Sequence, residues 1–162
     1  MADGRLCVDW VLYMMDERTR RNLINVAPPL VHLCHMMNEA GHEFIVPDPP
    51  RTKLQQISLY AQGREPLAAV NAKRKAAGMP PIKADKNIRV SWTLDSKHII
   101  GPDGFAHAFD FVNKPVNYED VAAFEYLGVE FEKMAHKLGI EIEWGGRWKA
   151  KDLPHIQLKE KI

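Results

Sequence analysis

Apolar positions recur along this chain with two periods, one helical and one extended. The clearest helical run spans Glu119 to Leu138, where Val121, Phe124, Leu127, Phe131, Met134 and Leu138 form one stripe. Glu119 and Asp120 lie in its first turn, and Gly139 stands where a helix is capped. Leu30, Leu33, Cys34 and Met37 predict a second helix over Leu30–Ala40, closed by Gly41. Residues Asp16–Val26 read as a shorter helix, charged at its start, with Leu23, Ile24 and Val26 for burial and an interruption at Pro28-Pro29. A further helix is predicted from Arg51 to Gly63, with Leu54, Ile57, Leu59 and Tyr60 on its apolar side. The stiff turn Pro47-Asp48-Pro49-Pro50 delivers Arg51 to it.

The extended period appears at His42–Val46, Ile88–Thr93, Ala106–Val112, Ile140–Trp144 and Ile156–Leu158, which we read as strands. Between Glu65 and Arg89 the chain is polar and reads as a short helix followed by a loop. Its basic run, Lys73, Arg74, Lys75, Lys83 and Lys86, could meet phosphate or another anionic polymer, but a solvated face accounts for it better. Helices that precede strands enclosing one more helix predict an α+β fold, a small antiparallel sheet with helices packed on one side.

Composition narrows the class. A chain of 162 residues suits a single domain, here taken as residues 1–162. The net charge of +1 gives no bulk electrostatic reason for nucleic-acid binding. The apolar run Val8–Met15 contains Asp9 and is too short to span a bilayer, so no membrane insertion is expected. Cys7 and Cys34 are too few for a disulfide framework and are expected to be reduced thiols. The first residues show no signal-peptide pattern, so synthesis and retention in a cytoplasm are expected.

Two segments carry the candidate chemistry: SKHIIGPDGFAHAFDF from Ser96 to Phe111, and WGGRWKAKDLPHIQL from Trp144 to Leu158. They offer His98, Asp110, Asp152 and His155. Two imidazoles and a carboxylate suit Zn²⁺, which in catalytic sites keeps three protein ligands and an open position. His98, Asp110 and His155 are the expected ligands. Asp152, three residues before His155 in a segment stiffened by Pro154, is the expected general base. His32 and His35 are three apart on one helix, but with no carboxylate or third imidazole placed with them they read as surface or packing residues.

Ser96, His98, Gly101, Ala108 and Asp110, then Trp144, Gly145 and Gly146, then Asp152, His155, Gln157 and Leu158 occur in the order of a known pattern. The chain resembles the zinc-dependent peptidoglycan peptidase family that contains D-Ala-D-Ala carboxypeptidases and phage L-alanyl-D-glutamate endopeptidases. Arg51, Gln55, Leu59, Tyr60, Gly63 and Arg64 extend the resemblance. It implies a D,D-peptidase-like zinc fold and cleavage of peptidoglycan stem peptides. It gives Arg51 the role of holding substrate and stabilising the oxyanion, and places Ser96, Gln55 and Trp144 around the ligands or the substrate. The spacing from His98 to Asp110 is longer than in the family by Pro102-Asp103-Gly104-Phe105-Ala106, which reads as a turn. Asp103 and His107 therefore stay open as alternatives for the second ligand. The resemblance favours a monomeric phage endolysin cutting L-Ala–D-Glu, made in the host cytoplasm and released to the wall with holin assistance. A bacterial D-Ala-D-Ala carboxypeptidase and a non-catalytic, metal-bearing wall-binding or virion module are the alternatives.

Overall fold

The computed structural model describes residues 15–160. Cys7 and all of the Val8–Met15 run except its last residue lie outside them. Among the described residues the order is α1 (Glu17–Asn22), α2 (Pro28–Glu39), β1 (Phe44–Ile45), α3 (Lys53–Ala61), α4 (Leu67–Ala76), β2 (Ala108–Asp110), β3 (Val112–Asn113), α5 (Val121–Leu138), β4 (Ile142–Trp144) and β5 (His155–Leu158). This is the α+β architecture expected. β2, β5 and β4 form an antiparallel sheet with β5 in the middle, and β1 pairs antiparallel with β3. α5 packs against β3 and β4, and α2 packs against α5.

The core forms where the sheet and α5 meet. Alternation along each strand sends Phe109, Ile156 and Trp144 to this side, and all three are buried. Phe131 is at the centre, with its ring 5.1 Å from Phe44, 5.6 Å from Phe109 and 5.0 Å from Phe111. The stripe on α5 is as expected except at its start. Asp120 is the N-cap, accepting from the Ala123 amide, and Val121 is solvent-exposed. Gly139 closes the helix in a left-handed conformation.

Several expectations need correction. Pro28 and Pro29 do not merely interrupt a helix but open α2, where a missing N–H costs nothing. α1 ends at Asn22, and the positive φ of Asn25 turns the chain so that Ile24 is exposed while Leu23 and Val26 are buried. Arg74 is not part of a solvated face. It is buried, and its guanidinium donates to the Pro80 carbonyl and to Gln62 Oε1.

The largest difference is at Ile88–Thr93, which forms no strand. Its alternation is real but inverted: Ile88, Val90 and Trp92 face solvent, while Ser91 is buried. Side chains of α3 and of the turn after it hold the segment in place of a partner strand. Gln56 Nε2 donates to Ser91 Oγ at 2.7 Å and to the Thr93 carbonyl at 2.8 Å, and Arg64 donates to the Ser91 carbonyl at 2.9 Å. At Gly63, where φ is +71°, a Cβ would collide with the backbone of Ile88 and Arg89, so only glycine lets the segment lie this close. Accordingly α3 buries Gln56, Ser58 and Ala61, and Leu54, expected on the apolar side, is exposed.

Candidate metal centre and active site

Register brings the site together on the sheet face opposite the core. Asp110 on β2 is the direct cross-strand partner of His155 on β5. His98 comes from the turn before β2, where its amide donates to Ser96 Oγ. Arg51 lies just outside α3, whose N-cap is Thr52. The Arg51 amide donates to the His98 carbonyl at 2.8 Å and the Ile100 amide donates to the Arg51 carbonyl at 2.9 Å, a short parallel bridge that sets Arg51 beside the histidine.

His98 Nε2 and His155 Nδ1 are 3.1 Å apart, and Asp110 Oδ1 is 3.3 Å from the first and 3.5 Å from the second. A tetrahedral zinc with bonds of about 2.0–2.1 Å separates its ligand atoms by roughly 3.3–3.5 Å. The donor set therefore has the chemistry and spacing for Zn²⁺, and among the described residues this is the group that could hold a metal ion. Asp110 Oδ1 supports the fit. It is buried, and although both imidazoles attract it, neither meets it in hydrogen-bond geometry. An acceptor left this way in a protein interior is costly unless a cation meets it. Burial raises the Asp110 pKa, but the two facing imidazoles outweigh it and hold the carboxyl well below the usual range. The open alternatives are placed elsewhere. Asp103 Oδ2 and His107 Nε2 pair with each other at 2.7 Å on the exposed turn between His98 and β2. That turn closes on itself through Gly101 and Phe105, so its extra length leaves β2 in register.

Asp152 lies on the wall of the same cleft, about 620 Å³ in volume, with Arg51, Trp92, His98, Asp110 and Trp148. Its amide donates to the Gly145 carbonyl at 3.0 Å, and a Cβ on Gly145 would run into the Asp152 carbonyl. The glycine pair after Trp144 thus lets the Asp152–His155 segment fold back over the strand end. Partial burial, and then the charge of Asp110, raise the Asp152 pKa above that of an ordinary carboxylate.

The surrounding residues depart from expectation in two places. Gln55 does not reach the cleft: its Oε1 accepts from the Thr52 amide in a capping box. The glutamine that holds Arg51 is Gln56, whose Oε1 accepts from Arg51 Nη1 at 3.0 Å. A glutamine facing inward from an otherwise amphipathic helix was the available signal. Trp144 is buried in the core, with Nε1 donating to the Leu153 carbonyl at 2.8 Å, so it supports the Asp152–His155 segment from behind. The tryptophan in the cleft next to the ligands is Trp148, its ring 5.1 Å from that of His155.

Two imidazoles and a carboxylate converging on one point, with a second carboxylate and a guanidinium at the rim, define a metallohydrolase type of centre on a small α+β scaffold. Residues 82–161, which contain both sequence segments and all three candidate ligands, match the family described as phage L-alanyl-D-glutamate peptidase. The match covers just under half of the chain, its carboxy-terminal part. A solved structure, the L-Ala D-Glu endopeptidase ChiX of Serratia marcescens, is similar over 90% of this chain and 89% of its own, with 27% identity and a TM-score of 0.61. No curated protein matches the chain.

Proposed function

We infer that this protein is a peptidoglycan endopeptidase that hydrolyses the L-alanyl-D-glutamate bond of stem peptides. The observation that carries the reading is the convergence of His98, Asp110 and His155 on one point, with Asp110 Oδ1 buried and unmatched, in a cleft that also presents Asp152 and Arg51. The family match and the solved relative's activity support this choice of bond.

His98, Asp110 and His155 hold the ion. Bound zinc supplies a Lewis acid that acidifies water and polarises a carbonyl. Asp152 accepts the proton of the attacking water and returns it to the leaving amine. Its raised pKa makes it a better proton acceptor than an ordinary carboxylate. Arg51, held by Gln56 and by its backbone bridge to His98, faces the negative charge that develops on the scissile carbonyl oxygen. Ser96 holds the His98 backbone, and Trp148 shapes the wall beside His155. The chain acts as one domain and as a monomer. It is made in the host cytoplasm and meets its substrate after holin-assisted release. Among the described residues no helix is long and apolar enough to cross a membrane.

Mass spectrometry of muropeptides after digestion of purified sacculi tests the reading. New L-Ala carboxyl and D-Glu amino termini are expected. Asp152→Ala should slow their release by about 10²–10⁴-fold with zinc retained. Loss of terminal D-Ala instead would make the enzyme a carboxypeptidase. Binding to sacculi without cleavage by the parent would make it a wall-binding module.

A further inference from the structure

Strand parity places more than the ligands on the site face of the sheet. Gln157 is two residues beyond His155 on β5 and so shares its face. Its direct cross-strand partner on β4 is Glu143. The three side chains form a chain of hydrogen bonds: His155 Nε2 to Gln157 Oε1 at 2.9 Å, and Gln157 Nε2 to Glu143 Oε2 at 3.0 Å. Glu143 appears in none of the sequence motifs.

The direction of this chain follows from the chemistry of its last member. An ionised carboxylate only accepts hydrogen bonds, so Glu143 requires the NH₂ of Gln157. The amide then has only its oxygen to offer His155. An oxygen acceptor requires a hydrogen on His155 Nε2, and a neutral imidazole protonated at Nε2 carries its lone pair on Nδ1. Nδ1 is the atom that faces His98 Nε2 and Asp110 Oδ1. Without Glu143 the Gln157 amide can rotate by half a turn. Its NH₂ would then face Nε2 and favour the opposite tautomer, with a hydrogen on Nδ1 pointing into the site.

We propose that Glu143 is a positioning residue which, through the Gln157 amide, holds His155 in the tautomer that leaves Nδ1 free to bind a metal ion. The inference rests on the reading of His98, Asp110 and His155 as ligands only for its consequence. The tautomer itself is a property of the metal-free protein.

Glu143→Gln tests it, because an amide at 143 no longer dictates which way Gln157 turns. Imidazole ¹⁵N shifts of the metal-free protein, recorded at alkaline pH where the ring is neutral, report which nitrogen carries the hydrogen. The parent should show His155 protonated at Nε2, and the variant a mixture. Zinc affinity, measured by chelator competition, should fall by about 10-fold, the lower end of what partners of ligating histidines contribute. The double variant Glu143→Gln/Gln157→Glu should restore both readings, because a carboxylate at 157 can only accept from Nε2. A purely structural role for Glu143 gives no reason for that rescue. An unchanged tautomer in Glu143→Gln overturns the proposal, whatever the affinity does, and so does failure of the double variant to recover. If Glu143→Gln does not fold, Gln157→Glu in the parent background must keep the Nε2 tautomer, and its loss overturns the proposal too. A parent that shows the expected tautomer but binds no zinc overturns the metal reading and leaves the role of Glu143 standing.

Discussion

Gln56 joins Arg51, at the rim of the cleft, to the segment that replaces the expected strand, so its removal should be felt in both places. Its side chain is fully buried. Its oxygen accepts from Arg51, and its nitrogen donates to Ser91 Oγ and to the Thr93 carbonyl. Gln56→Leu keeps the volume close and deletes all three contacts. The groups left behind are not equally stranded. The Thr93 carbonyl still accepts from Ser91 Oγ at 3.2 Å, and Arg51 is half-buried and can turn to water. With about 1–3 kcal/mol for each buried group left unmatched, and part of that offset by the buried leucine, we expect a loss of roughly 2 kcal/mol. For a chain of this length that lowers the melting temperature by about 4–8 °C. Urea unfolding followed by tryptophan fluorescence measures the loss, and muropeptide release on the same samples measures activity. Activity should fall further than the unfolded fraction explains, because Arg51 loses the acceptor that aims it. Gln56→Glu separates the effects: it keeps an acceptor for Arg51 while setting oxygen against oxygen at Thr93, so stability should fall more than turnover. A Gln56→Leu protein within about 0.5 kcal/mol of the parent and equally active would refute the coupling of α3 to the site.

Other outcomes follow from the same geometry. Asp110→Ala should lose most bound zinc and Asp103→Ala should keep it, as read by metal analysis of the purified variants; the reverse would move the second ligand onto the turn. Asp152 has a raised pKa in the folded state, so charging it costs stability that is lost as pH rises from the ordinary carboxylate range through the folded value. Asp152→Asn should therefore stabilise the metal-free protein at neutral pH and lose that advantage in acid, where both forms are uncharged; melting curves across pH decide it. Cys34 is fully buried and burial pushes its thiol well up, so alkylation of the Cys34 peptide should require unfolding. Rapid labelling in native buffer would contradict the packing of α2.

The sequence by itself determined the candidate donors, the long amphipathic helix and the α+β order, because these depend on residue identity and on local period. The stripe on α5 needs only its own spacing, and the order of His98, Asp110, Asp152 and His155 needs only the two segments. Local information ran out where a residue's role depends on what lies across from it. Along the chain Asp110 is the expected second ligand, but Asp103 and His107 stay open beside it. Pairing of β2 with β5 sets Asp110 opposite His155, while the turn keeps the other two to each other. Gln55 and Gln56 differ by one position, but a helix turns about 100° between them, and that rotation sends one to the cap and the other to Arg51. Ile88–Thr93 alternates like a strand, but a strand exists only if another lies beside it. Here the neighbour is the polar side of α3, so the buried position is a serine and the apolar ones face water. Glu143 carries no local signal at all; its place opposite Gln157 comes from the register of β4 on β5, which long-range packing around Phe131 and Trp144 decides.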